Sequence, residues 1–369
     1  MKFSFFDHKL PEPLAVYLFS FLDAQSLART QQVCKEWQAL STKAKQDNAL
    51  TPVIQLIPKL KPLYYLKLRQ LSGGMTNLTY FIKQLKGVGG PAEKFVLRIP
   101  GKNTSRFITR KHEGYNARQV SQAAINVTIE FFDDKDGLQL TRFLENSKPL
   151  SPVLLKENDV LKSIADIFRK LHQSHQFSND IHLFQRNEDL LKAVKENATF
   201  DLPKDLASVE EGLAKIAGIC SNYKIPLMPC HNDPTPGNFL MSSSLFKLID
   251  WEYSGNNDFL WDLVYFCLEG KLSLEQEKQL LGYYFGEVTP MIEAWFEVYK
   301  PLVSWWITLW CWTQLNNKAN ATDTKAYVQL AESSYRATQS SLENTACIKS
   351  LALIASDTQK TTFDGLRPF

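Results

Sequence analysis

The sequence predicts an α+β chain in three parts: a short all-helical module, a β-rich unit, and a longer, mostly helical unit. Three observations carry this. Apolar residues recur at helical spacing from Leu14 to Leu40, the pattern switches to strand-like alternation from Leu66, and beyond Pro149 helical spacing returns. The expected parts are 1–50, 51–149 and 150–369. With 369 residues, 44% of them apolar, the chain has material for more than one core.

In the first part Leu14, Leu18, Phe19, Leu22, Leu27, Val33, Trp37 and Leu40 share helical spacing, broken between Asp23 and Ser26. That predicts a helical hairpin or a three-helix unit. In the second part LKLRQL, LTYFIKQL and KFVLRIP alternate as strands, with a turn at GVGGP, and read as an antiparallel meander. A tight glycine-rich turn, Ser72 to Asn77, joins the first two. Helical character returns from Ile108 to Ala123, and INVTIEFF and LQLTRFLE then read as two further strands joined by DDKDG. The third part opens with LLKENDVLKSIADIFRKLHQS and is interrupted once by a β-type stretch, FLMSSSLFKLID. It closes with a helix from about Tyr327 to Leu342.

Composition narrows the function. A balance of 42 basic and 39 acidic residues leaves +3 and no basic run, so nucleic acid is not an expected partner. Six cysteines stand singly in apolar stretches, with no metal-ligand spacing, which predicts buried thiols in a reducing, cytoplasmic compartment. Asp7, His8, Lys9 and two prolines interrupt the region where a signal peptide needs its apolar core. The most apolar segment, Leu302 to Leu315, is too short to span a bilayer and reads as a core helix carrying Trp305, Trp306, Trp310 and Trp312.

The chemistry concentrates in His231-Asn232-Asp233-Pro234-Thr235-Pro236-Gly237-Asn238, followed by Leu248-Ile249-Asp250-Trp251-Glu252-Tyr253. Transfer of a phosphoryl group to a hydroxyl needs a carboxylate to orient the nucleophile and accept its proton, and magnesium needs hard oxygen ligands. Asp233 suits the first task; Asn238 and Asp250 suit the second and are the candidate metal ligands. His231 and Asp262 read as structural: the histidine orients the loop, and the acid sits near the site.

Two resemblances sharpen this reading. Leu10, Pro11, Leu14, Leu18, Phe19, Leu22, Leu27, Val33, Cys34 and Trp37 stand in register with the F-box, over residues 8 to about 48. That resemblance implies a Skp-type adaptor of a cullin ubiquitin ligase as partner, with Leu10, Pro11, Leu14 and Leu18 at the contact; the other reading is a helical cap on the rest of the chain. The stretch from residue 66 to 342 resembles the bacterial choline kinases, related to the kinases of ethanolamine, thiamine and aminoglycosides. It does so through HND…N, IDWEY and NDFLWDL, together with SGGMTN, VLRIPG and ITRKHEGYN.

The resemblance implies a protein kinase-like bilobal fold, with ATP and Mg2+ as cofactors. Ser72, Gly73, Gly74, Thr76 and Asn77 then form the nucleotide loop, and Arg98 takes the place of the kinase lysine with Glu113 as its ion-pair partner. Taken alone, SGGMTN is a hairpin turn, and Arg98 and Glu113 are surface residues. A small amino alcohol, choline or ethanolamine, is the implied substrate, with Glu252, Glu269, Trp306 and Trp310 as its contacts; the tryptophans equally suit an aromatic core. Pro234 and Gly237 depart from the family's loop and leave substrate choice open. A different class of answer is a catalytically weak kinase fold retained as a substrate adaptor for the ligase. Joining a bacterial-looking kinase to a eukaryotic module also raises the expectation of an effector delivered to host cytosol.

Overall fold

A computed structural model describes residues 19, 24–32, 35, 38–39, 50, 53–60, 66–71, 77–84, 92–101, 108–223, 225–242, 245–316 and 324–357. The expectations placed on Leu10, Pro11, Leu14 and Leu18, and on Ser72, Gly73, Gly74 and Thr76, lie outside the described residues. Of the F-box-like segment, one helix is described, α1 (Ala24–Thr30), and Phe19 is buried.

Alternating apolar residues build one antiparallel sheet from β1 (Leu66–Gln70), β2 (Leu78–Gln84), β3 (Glu93–Ile99), β4 (Ile129–Phe132) and β5 (Gln139–Arg142), in the order β1-β2-β3-β5-β4. Because side chains alternate faces, register decides what the sheet buries. Ile82 lies opposite Phe95 and Leu97 opposite Leu140, all four shut off from solvent. Leu50, Ile54, Ile57 and Leu60 cover the same core from the preceding segment. On β4, beside a register shift between Ile129 and Phe131, Glu130 receives both Lys59 and Arg142. Arg142 also pairs with Glu93 at 3.0 Å and stands 5.2 Å over the Phe95 ring, so one cation ties three strands together.

This sheet belongs to one compact unit, made of residues 1–101, 129–133 and 138–143; residues 102–128, 134–137 and 144–369 form a second. The second unit is largely helical: α2 (Arg110–Gln122), α3 (Asn158–His172), α4 (Leu183–Asn197), α5 (Leu206–Cys220), α6 (Leu260–Glu269), α7 (Leu274–Phe285), α8 (Pro290–Asn316), α9 (Thr324–Glu343) and α10 (Thr345–Ser356). The stripe Val160, Leu161, Ile164, Ala165, Phe168 and Leu171 is buried along one face of α3, as the 3.6-residue period requires. Helix α8 is the expected tryptophan-rich core helix, packed against α4, α6, α9 and α10 with Trp305, Trp306 and Trp312 buried. Helix α10 extends the chain's helical part beyond the sequence expectation, and the Asn344 side chain starts it by accepting the Ala346 N–H at 2.8 Å.

Short strands interrupt these helices. β6 (Lys148–Pro149), β8 (Phe239–Met241) and β9 (Phe246–Leu248) form a three-stranded sheet, and β7 (Met228–Cys230) pairs antiparallel with β10 (Gly255–Asn257). The five described cysteines are buried free thiols, and burial raises the pKa of Cys220 and Cys311 to about 12. Among the described residues no helix is long and apolar enough to cross a membrane.

Candidate active site

The β7–β10 pair fixes both ends of the chemistry-bearing segment. β7 delivers the chain to His231, and β10 receives it after Tyr253. Between them a 3-10 turn, Pro236–Asn238, and the β8–β9 hairpin return the chain so that Ile249 N–H donates to the Asn238 carbonyl at 2.9 Å. Asn238 and Asp250 thereby become neighbours through the backbone. The Asn238 Nδ2 donates to the Asp233 carbonyl at 2.9 Å, so its amide nitrogen is committed to the loop and its Oδ1 is the atom left for a cation. Asp250 sits at φ 67° and Asn232 at φ 67°, a left-handed conformation that costs a non-glycine residue energy and that asparagine and aspartate tolerate best.

Buried polar groups hold this loop. Asp262 on α6 is fully buried; its Oδ2 accepts the His231 N–H at 2.7 Å and its Oδ1 the Asn232 N–H at 2.8 Å. His172 Nε2 lies 3.2 Å from the same Oδ2, and His172 Nδ1 lies 2.7 Å from Tyr284 OH. Asn232 spends its amide on the Tyr253 and Gly255 carbonyls, at 3.1 and 3.2 Å, and accepts from Asn257 Nδ2 at 2.8 Å. Its carbonyl takes the Trp261 indole N–H at 3.1 Å. His231 donates from Nε2 to the Ile249 carbonyl at 2.9 Å and accepts the Asp233 N–H at Nδ1, 3.3 Å. Burial pushes its pKa down, so a neutral ring with both nitrogens occupied braces the loop, in keeping with the structural role expected of it.

Asp233 is partly exposed and receives the Tyr265 hydroxyl. Burial pushes its pKa well above the carboxylate range; the tyrosine works against that, and the charges of Asp250, Glu252 and Glu269 add to it. Four sequence-selected acids are therefore brought together. Their hard-oxygen character, with the Asn238 Oδ1 set free by its own amide bond, fits a magnesium ion held by Asn238 and Asp250.

The remaining candidates divide. Glu252 is buried, 3.5 Å from Arg110 Nη1, and Arg110 also holds Glu113 at 2.5 Å. One buried arginine on α2 thus spans two acids chosen for different roles. Gly137, at φ 76°, makes room for it, since a Cβ there would lie 2.5 Å from Arg110 Cδ. Glu269 ends α6 half-buried, its pKa raised by burial. Trp310 Nε1 donates to Tyr253 OH at 2.8 Å, and Trp306 meets Tyr253 edge-on at 6.2 Å. The face of Trp306 carries the guanidinium of Arg186, 3.8 Å from the ring centre, so its indole already holds a cation of the chain itself. In the other unit, Arg98 is buried on β3, and Asn77 Oδ1 accepts the Gly101 N–H at 3.3 Å. Arg110, Tyr265 and Arg186 were not foreseen. The i,i+3 spacing of Arg110 and Glu113 was a signal for the first, whereas the other two act only across tertiary contacts.

The loop and the two units define a kinase-like phosphotransferase. The family model of choline/ethanolamine kinases matches residues 68–282, and an F-box-like model matches residues 8–44. The chain is 32% identical over 232 residues to protein LicA of Haemophilus influenzae, covering 61% of this chain and 65% of that protein's length. A solved choline/ethanolamine kinase family protein from Mesorhizobium loti superposes with a TM-score of 0.71 at 30% identity, over 84% of this chain and 99% of the other. A LicA structure in complex with AMP shares the fold at a TM-score of 0.60 and 22% identity, over 78% of this chain and 98% of the other. This chain belongs to the choline/ethanolamine kinase family and carries in addition an F-box-like segment.

Proposed function

We propose that this protein transfers the γ-phosphate of ATP, with Mg2+, to the hydroxyl of a small amino alcohol of the choline and ethanolamine kind. The observation that carries this reading is the loop in which Asn238 donates to the Asp233 carbonyl and accepts the N–H of Ile249, the residue before Asp250. Asp233 orients the acceptor hydroxyl and takes its proton, while Tyr265 fixes the carboxylate that does so. Asn238 and Asp250 would hold the metal, which would supply positive charge to neutralise the phosphate oxygens. Glu269 and Glu252, both of which act on Asp233, supply negative charge for the amine. On the nucleotide side the turn from Ser72 to Asn77 and the Arg98 cation receive the phosphates. The F-box-like segment docks a Skp-type adaptor and so places the kinase on a cullin ubiquitin ligase, in a reducing cytosol.

The test is ATP consumption against a panel of amino alcohols, thiamine and aminoglycosides, with the Asp233→Asn variant beside the wild type. Turnover on the best acceptor should fall about a thousandfold in the variant, with ATP affinity and melting temperature little changed. Full turnover in Asp233→Asn removes its role as base. A wild type that transfers phosphate to nothing in the panel favours a kinase fold kept for binding.

A further inference from the structure

Arg186 lies in the first turns of α4, and its guanidinium is stacked on Trp306 at 3.8 Å and stands 5.3 Å from the Trp261 ring centre. Tyr253 and Tyr265 are the titratable groups that face it, and Tyr265 is also the residue bonded to Asp233. Arg186 is therefore one phenol away from the carboxylate that receives the acceptor hydroxyl. Burial lowers its pKa to about 9, so it remains cationic at neutral pH.

Its bonding is incomplete. Nε and Nη2 are both shut off from solvent and neither has a hydrogen-bond partner among the described residues. A buried, unpartnered N–H costs about 1–3 kcal/mol, more on a charged group, and the aromatic contact offsets only about 2 kcal/mol. These two nitrogens are also the pair on one side of a guanidinium. Their N–H bonds run parallel and match the two oxygens of a carboxylate or phosphate. Trp306, only 6% exposed, has no room for a second cation on the face that Arg186 covers.

We propose that Arg186 determines acceptor specificity: it holds the Trp306 face against a quaternary ammonium group and offers its Nε–Nη2 fork to an oxyanion carried by the acceptor. This rests on the phosphotransfer reading and narrows it, making the acceptor a zwitterionic amino alcohol, with its hydroxyl on Asp233, its amine toward Glu269 and its oxyanion on Arg186. Choline, which bears no oxyanion, is then a poor acceptor.

The experiment measures binding by calorimetry without nucleotide, and ATP turnover separately, for ethanolamine, choline, L-serine and glycerophosphoethanolamine. Wild type should bind one of the two zwitterions about tenfold more tightly than ethanolamine or choline, serine if the oxyanion is a carboxylate and glycerophosphoethanolamine if it is a phosphate. Arg186→Lys keeps the charge but not the fork and should lose that preference while ethanolamine binding stays within about twofold. Choline binding as tightly as both zwitterions, no binding of either zwitterion, or an unchanged preference in Arg186→Lys overturns the assignment. If Arg186→Lys does not fold, the wild-type ranking decides alone. A wild type that binds a zwitterion but phosphorylates none of the four refutes the phosphotransfer reading and leaves the role of Arg186 standing.

Discussion

The loop around Asp233 and the aromatic cluster around Arg186 lie in the same unit and treat polar groups in opposite ways. In the loop, Asn232 uses its amide, its side-chain oxygen and its backbone carbonyl, and both nitrogens of His231 are engaged. In the cluster, a buried guanidinium leaves two donors without a partner among the described residues. The difference separates two tasks. Groups that act on every substrate in the same way are fixed before it arrives, whereas groups that choose the substrate keep bonding capacity in reserve for it.

The comparison breaks most severely at Asp262. Asp262→Ala leaves the His231 and Asn232 N–H groups and the His172 ring without their carboxylate in a fully buried place. A loss of about 3–5 kcal/mol in urea unfolding is expected, together with loss of turnover. A variant of wild-type stability would show that the loop holds itself.

A smaller effect separates fixed geometry from fixed charge. Asp258 accepts from Tyr299 OH and the Leu260 N–H, yet burial pushes its pKa up to about 7. In the unfolded chain an aspartate titrates near about 4, so between about pH 4 and about pH 7 the native state holds one more proton than the unfolded state. Stability therefore falls as pH rises through that window, by up to about 4 kcal/mol. Asp258→Asn, which cannot titrate, should flatten this slope. Equal slopes in the two proteins, read from urea midpoints across the window, would remove Asp258 as the cause.

The smallest change probes the arginine that, unlike Arg186, is fully engaged. Gly137→Ala puts a Cβ against Arg110 Cδ on a left-handed backbone and should cost about 1–2 kcal/mol, read as a lower melting temperature. It should also loosen Glu252 and raise KM for an amine acceptor without lowering kcat; an unchanged KM would confine Arg110 to a structural role.

Much of this was legible in the sequence, because the information was local. LTYFIKQ and EKFVLRI alternate and are strands; VLKSIADIFRKL repeats at helical spacing and is a helix. Asp233, Asn238 and Asp250 stand close in sequence, so a motif could name them. What escaped depends on partners far along the chain. Arg186 meets Trp306 only after α4 and α8 pack, Tyr265 reaches Asp233 only from α6, and Glu252 finds Arg110 across more than a third of the sequence. An indole read as a cation site is a sound inference from composition; that the cation is internal is visible only in three dimensions.

The chain of contacts from the loop through Asp262 to His172 and Tyr284 ties the site to folding order. Its links come from α3 and from the consecutive helices α6 and α7, which lie far from α3 in sequence, and each side chain in it is bonded to the next. A chain whose helices have formed but not docked has every catalytic residue and no loop to present them. The shape of the loop thus depends on the final packing of the helical unit rather than on the presence of its helices alone.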